Sequence, residues 1–152
     1  MSIQHTYKNI IIGIDFNHHP ERVIQKAAQL LIPESSKVHI VHTLHYMPET
    51  YYDHYAITSA ELDNTIRELK KQSTLEAEEK LNKIKIAYPS LPINTHILQG
   101  PTVDALIDFA EEQQADLILL GNYHKPGFIR LLGSTINGIV QHSPCDVLVV
   151  KA

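Results

Sequence analysis

Between Leu119 and Val140 the chain reads LLGNYHKPGFIRLLGSTINGIV. Glycines stand at 121, 127 and 133, Lys125 and Arg130 lie between them, and Gly133-Ser134-Thr135 precedes a short apolar helix pattern. Glycine lets a backbone come close to a ligand, and the unpaired N–H groups that open a helix favour an anion. Ser134 and Thr135 can cap that helix or offer hydroxyls to a phosphate, and Lys125 and Arg130 add positive charge. The chemistry in question is therefore phosphate binding. The stretch has no Gly-Lys-Ser/Thr, so it is not a Walker A loop, and Gly13-Ile14-Asp15-Phe16 after the first apolar run is not a dinucleotide fingerprint. On its residues alone the stretch reads equally well as a phosphate cradle and as a long strand-to-helix connection.

Other chemistries find less support. There are ten histidines, which invites a metal reading. His39, His42 and His45 are spaced by three on a strand, so neighbours in that series point to opposite faces. His18-His19 sit in a turn with no cysteine cluster nearby and read as solvent-facing. A shared sheet edge for His18, His19, His42 and His124 would make a weak or pH-sensitive site, but solvent-facing loop histidines are the favoured reading and no metal site is expected. For catalysis, Asp15 with Ser134 lacks an evident base, and nothing fixes His124 in that role. At most a slow ATP hydrolysis is expected. A phosphoacceptor receiver would need an aspartate ending the third strand, where Gln99 stands.

The elements that must position these residues alternate. Apolar, β-branched runs predict buried strands at Lys8–Asp15, Lys37–Leu44, Ile93–Leu98, Ala115–Gly121 and Cys145–Lys151. Helical spacing links them: Val23, Ile24, Ala27, Ala28, Leu30 and Leu31 behind Pro20; a long helix over Ser59–Tyr88; Val103, Leu106, Ile107 and Ala110; and Ile136, Ile139 and Val140. Thr58 with Glu61 resembles a capping box for the long helix, whose face is Leu62, Ile66, Leu69, Ser73, Ala77, Leu81 and Ile84. HYMPETYYDHYAIT, residues 45–58, reads as a long loop carrying Tyr46, Tyr51, Tyr52 and Tyr55. The predicted fold is α/β: a single-domain, open five-stranded parallel sheet over residues 1–152 with helices on both faces. In such a sheet ligands sit beyond the carboxyl ends of the strands where strand order reverses, which is where Asp15, Thr43 and Gly121 fall. If the first and fourth strands are neighbours, Asp15 and the glycine loop face each other.

Composition bounds the function. A net charge of −4 supplies no field for nucleic acid or anionic membrane. No apolar run approaches membrane-spanning length, and MSIQHTYKN lacks a signal-peptide pattern. Cys145 is the only cysteine, which excludes an intrachain disulfide and suits a reducing compartment, so a cytoplasmic location is expected. The terminal strand DVLVVK, if it lies at the sheet edge, would pair with another copy of itself.

Over nearly its whole length the chain resembles the universal stress protein family, of the bacterial universal stress protein A type. The resemblance lies in IIIGIDFNHHPERVIQKAAQL, VHIVHTL, LQGPTVDALIDFAEEQQADLILLGNYHKPG and, most specifically, RLLGSTINGIVQHSPCDVLVVK. It implies a Rossmann-like fold, a homodimer and, as in many members, binding of ATP or AMP in a stress-sensing or signalling role. It also implies site residues. The family pattern Gly-x2-Gly-x9-Gly-Ser/Thr places phosphate contacts at Gly121, Gly133 and Ser134, with Thr135 beside them. The aspartate on the adenine side corresponds to Asp15, flanked by Gly13 and Ile14, and a second-strand backbone contact to Thr43. The pattern's second glycine is His124 here and the span to Gly133 is one residue shorter, while Gly127 is retained. A protonated His124 can hydrogen-bond a phosphate. The alternative is a dimeric stress-response interaction protein that needs no nucleotide.

Overall fold

A computed structural model describes residues 7–32, 35–45, 59–123 and 133–152. Five strands form one sheet: β1 (Asn9–Gly13), β2 (Lys37–Leu44), β3 (Ile93–Gln99), β4 (Leu117–Asn122) and β5 (Asp146–Lys151). All pairings are parallel and the spatial order is β3-β2-β1-β4-β5. The helices are α1 (Glu21–Leu30), α2 (Ser59–Ala87), α3 (Thr102–Glu112) and α4 (Ser134–His142). The predicted α/β class and the five strands are therefore observed.

Alternating side chains of the central strands feed two cores. Ile10 and Ile12 of β1 with Val38 and Ile40 of β2 meet Val23, Ile24 and Ala27 of α1 and Leu81 of α2. Ile11, Val41, Ile118 and Leu120 point the other way, onto Leu106, Phe109 and Ala110 of α3 and Ile139 of α4. Strands covered on both faces need apolar residues at every position, which is why their sequences are continuous rather than alternating. Ile10, Ile11 and Ile12 are all fully buried.

Several boundaries differ from the sequence expectation, each for a local reason. β1 ends at Gly13, so Asp15 lies in the following turn rather than closing the strand. Pro20 is the N-cap of α1 rather than part of its first turn. Leu31 leaves the helix to bridge Tyr7. The apolar face expected along α2 is buried only in its C-terminal half, at Ala77 and Leu81, while Leu69 is 57% exposed. A 29-residue helix is about 43 Å long, whereas a seven-residue strand spans only about 23 Å, so α2 outruns the β2 and β3 edges it covers. Thr58 and the tyrosine-rich segment lie outside the described residues.

Candidate functional site

Strand order reverses between β1 and β4, whose Gly13 and Leu120 are register partners. The two crossovers leave this point in opposite directions, so their loops part and leave a crevice at the carboxyl ends. The crevice is a cleft of about 480 Å³, within the ordinary range for small-molecule sites. Gly13, Ile14, Asp15, Thr43, Gly121, Gly133, Ser134 and Thr135 all line it. Eight residues drawn from the sequence thus converge on one cavity. His124 and Gly127, with Lys125 and Arg130, lie outside the described residues.

One part of the cleft lining is the N-terminus of α4. Gly133 is its N-cap, with φ −60° and ψ 158°, and no side chain caps it. The expectation that Ser134 or Thr135 caps this helix is corrected: Ser134 is the first helical residue, one position too late for its hydroxyl to reach the N2 or N3 amide in the usual way. The leading amides of α4 therefore keep donors free of a side-chain cap. Gly133 has an ordinary negative φ, and apart from its chain neighbours no heavy atom of the described residues lies within 4 Å of where a Cβ would stand. Neither backbone conformation nor packing requires glycine there. Its effect is to leave the approach to the helix N-terminus open.

The Asp15 side is crowded. Asp15 accepts hydrogen bonds from the Asn17 backbone N–H at 2.9 Å and from His18 Nδ1 at 2.8 Å. The His18 ring stacks on Tyr123 with centroids 4.2 Å apart and planes 10° from parallel. Tyr123 folds over Gly121, where an added Cβ would come within 2.5 Å of the phenol ring. A side chain at 121 would therefore displace the Tyr123 ring from this position. Burial, then the carboxylates of Asp15 and Glu21, push the Tyr123 phenol above its usual pKa. Also in the lining, Ile14 N donates to Val41 O at 3.0 Å, and His42 Nδ1 sits 3.0 Å from Ile14 O. Thr43 Oγ1 is buried and has no hydrogen-bond partner among the described residues.

His18, His42, Thr102, Asn122 and Tyr123 are lining residues that sequence reasoning did not assign to the site. Two had a usable signal. His18 follows Asp15 by three in a turn, and His42 precedes Thr43 at a strand end. The expectation that His18 faces solvent is corrected in part: its side chain is 42% exposed but tied to Asp15. His19, at 96%, does face solvent. Among the described residues no group of three or more His, Cys, Asp or Glu is placed to hold a metal ion, and no helix is long and apolar enough to cross a membrane.

Sheet order and cleft together define a doubly wound α/β protein with a cleft at its switch point. Residues 6–151 match the model of the universal stress protein family, and the chain belongs to that family. It is 32% identical over 145 residues to universal stress protein A homolog 1 of Coxiella burnetii, covering 95% of this chain and 96% of that one. Three solved structures share the fold. The universal stress protein UspA from Lactobacillus plantarum superposes with a TM-score of 0.73 at 23% identity, over 96% of this chain and 99% of the other. A universal stress protein in complex with cAMP gives 0.57 at 26% identity, over 95% and 96%. A universal stress protein family protein from Arabidopsis thaliana with AMP bound gives 0.57 at 15%, over 95% and 91%.

Proposed function

We propose that this universal stress protein binds an adenine nucleotide, ATP or AMP, in the switch-point cleft and serves a sensing or signalling role under stress. The observation that carries the reading is the polarity of the cleft. Its lining includes an uncapped helix N-terminus behind Gly133, which no other described residue crowds, and a carboxylate–imidazole pair. A phosphate is attracted by the first, through amide donors and the helix dipole, and repelled by Asp15 at the second. A ligand bearing phosphate at one end and hydrogen-bond donors at the other fits that polarity. The family relationship and the cAMP and AMP held by two structural neighbours support the choice of an adenine nucleotide.

Titration calorimetry tests the reading. The wild type should release or take up heat on binding AMP or ATP. Gly133→Val should weaken that binding at least tenfold while leaving the fold intact, because its Cβ meets no atom of the described residues beyond its chain neighbours within 4 Å yet fills the anion approach. No heat with wild type at millimolar nucleotide sinks the reading and favours a nucleotide-independent interaction protein.

Dimerisation is the second part of the proposal. Among the described residues β5 has a partner on one side only, β4, and its other edge belongs to the apolar run DVLVVK. An exposed apolar edge strand invites pairing, and a two-fold axis beside β5 would satisfy its open backbone groups in both copies. Light scattering at micromolar concentration should return twice the chain mass; a monomer mass counts against the edge-strand pairing.

A further inference from the structure

The contact between Asp15 and His18 assigns roles that the family resemblance does not. His18 Nδ1 lies 2.8 Å from Asp15 Oδ1 and 3.1 Å from Oδ2. A carboxylate only accepts, so this contact puts a proton on Nδ1, and in the neutral imidazole Nε2 then keeps a lone pair. Nε2 has no hydrogen-bond partner among the described residues, and His18 lines the cleft. The ring is fixed a second time by its stack on Tyr123, which is itself seated over Gly121 and directs its hydroxyl to His19 O at 3.4 Å. Holding a partly exposed side chain in one rotamer costs entropy, and exposed pairs of this kind return little stability. Stability alone does not account for an imidazole held both in rotation and in plane.

We propose that His18 is a ligand-contacting residue of the cleft and that Asp15 is its positioning residue, with His18 Nε2 accepting a hydrogen bond from a donor on the bound nucleotide. This rests on the nucleotide reading above and revises the place of Asp15 within it: the carboxylate acts through the imidazole rather than on the ligand. The donors an adenine nucleotide can offer are its exocyclic amine and its ribose hydroxyls. Phosphate is excluded from this side by the adjoining Asp15 charge and by the lone pair itself, which repels an acceptor oxygen.

A double-mutant cycle separates the two roles. AMP affinity is measured by calorimetry for wild type, Asp15→Ala, His18→Ala and the double variant. His18→Ala should weaken AMP roughly tenfold, the loss of one hydrogen bond in a partly closed site. His18→Phe, which keeps the stack on Tyr123 but lacks the nitrogen, should match it. Adding Asp15→Ala to His18→Ala should cost nothing further. If Asp15→Ala costs as much in the His18→Ala background as alone, Asp15 touches the ligand directly and the proposal falls. The analogues 2′-deoxy-AMP, 3′-deoxy-AMP and IMP identify the donor: one of them should bind less well than AMP to wild type and equally well to His18→Ala. Equal discrimination of all three by both proteins also overturns it. Nitrogen-15 NMR of the unliganded protein supplies a readout that affinity does not. Wild-type His18 should show the Nδ1–H tautomer and Asp15→Ala should lose it; an Nε2–H tautomer in wild type is incompatible with the proposal. Failure of wild type to bind AMP or ATP overturns the nucleotide reading and this contact with it, whereas binding with additive losses overturns the contact alone.

Discussion

Among the described residues, two side-chain contacts of histidine at hydrogen-bond distance are opposites. His18 meets a carboxylate at the mouth of the cleft and remains 42% exposed. His39, on β2, meets another imidazole: its Nδ1 is 2.9 Å from His96 Nε2 on β3. That pair lies beneath α3, with Phe109 packed edge-on to His39 and tilted against His96. His39 is only 4% exposed, and its Nε2 is buried with no partner among the described residues. A carboxylate is a fixed acceptor and settles which nitrogen of His18 holds the proton. Two imidazoles settle nothing between them except that one proton is shared, and a second would be a buried charge. The first arrangement presents a lone pair to a ligand; the second makes the fold sensitive to acid.

The largest effect should come from attacking the buried pair. Burial, then His96 and Lys37, lower the His39 pKa from 6.5 to about 4. Burial lowers His96 as well. The groups facing His39 are His96 from β3, Lys37 from its own strand and the apolar Phe109 of α3, whose Asp104, Asp108, Glu111 and Glu112 are outward and exposed. Between pH 6.5 and about 4 the unfolded chain therefore binds a proton that the folded chain refuses. Stability is full above that window and falls as pH drops through it, by up to about 1.4 kcal/mol per pH unit and on the order of 3 kcal/mol in all for His39. Urea unfolding at steps from pH 7 to pH 4 measures the slope. His39→Leu should flatten most of it, with the residue left to His96. An unchanged slope in that variant would place the acid sensitivity elsewhere and break the contrast.

The contrast also marks what the sequence could and could not disclose. The β-branched runs and the Gly-Ser-Thr at a helix start were legible, because burial on both faces and helix initiation each demand particular residue types at one place in the chain. So was the convergence of Asp15, Thr43, Gly121 and Gly133, because strand ends in a parallel sheet share one rim. The His39–His96 contact was not legible. Period-two alternation gives the face of His39, but the register that sets His96 beside Val41 is a property of the strand pairing. Tyr123 gave no signal at all, since its place over Gly121 depends on a side chain folding back. The half-buried state of α2 was hidden for a similar reason: its face repeats evenly, and only the length of the sheet beneath decides where burial stops.

A smaller effect should sharpen the comparison on the cleft side of the same strand. His39, Val41 and Thr43 alternate onto one face of β2, and both His39 Nε2 and Thr43 Oγ1 are buried without partners among the described residues. The two orphans differ in what lies beyond them: α3 over His39, the cleft beside Thr43. Valine has nearly the shape of threonine without the hydroxyl, so Thr43→Val removes an unpaired polar group and should raise the stability of the unliganded protein by about 1 kcal/mol. If the hydroxyl is reserved for a ligand, the same change should weaken AMP binding, and the two effects should have opposite signs. Thermal unfolding read beside calorimetry measures both. A stability gain with unchanged affinity would make Thr43 an orphan of the same kind as His39 and confine ligand recognition to the Asp15 and Gly133 sides. A loss of stability would mean that the hydroxyl is already satisfied in the unliganded protein.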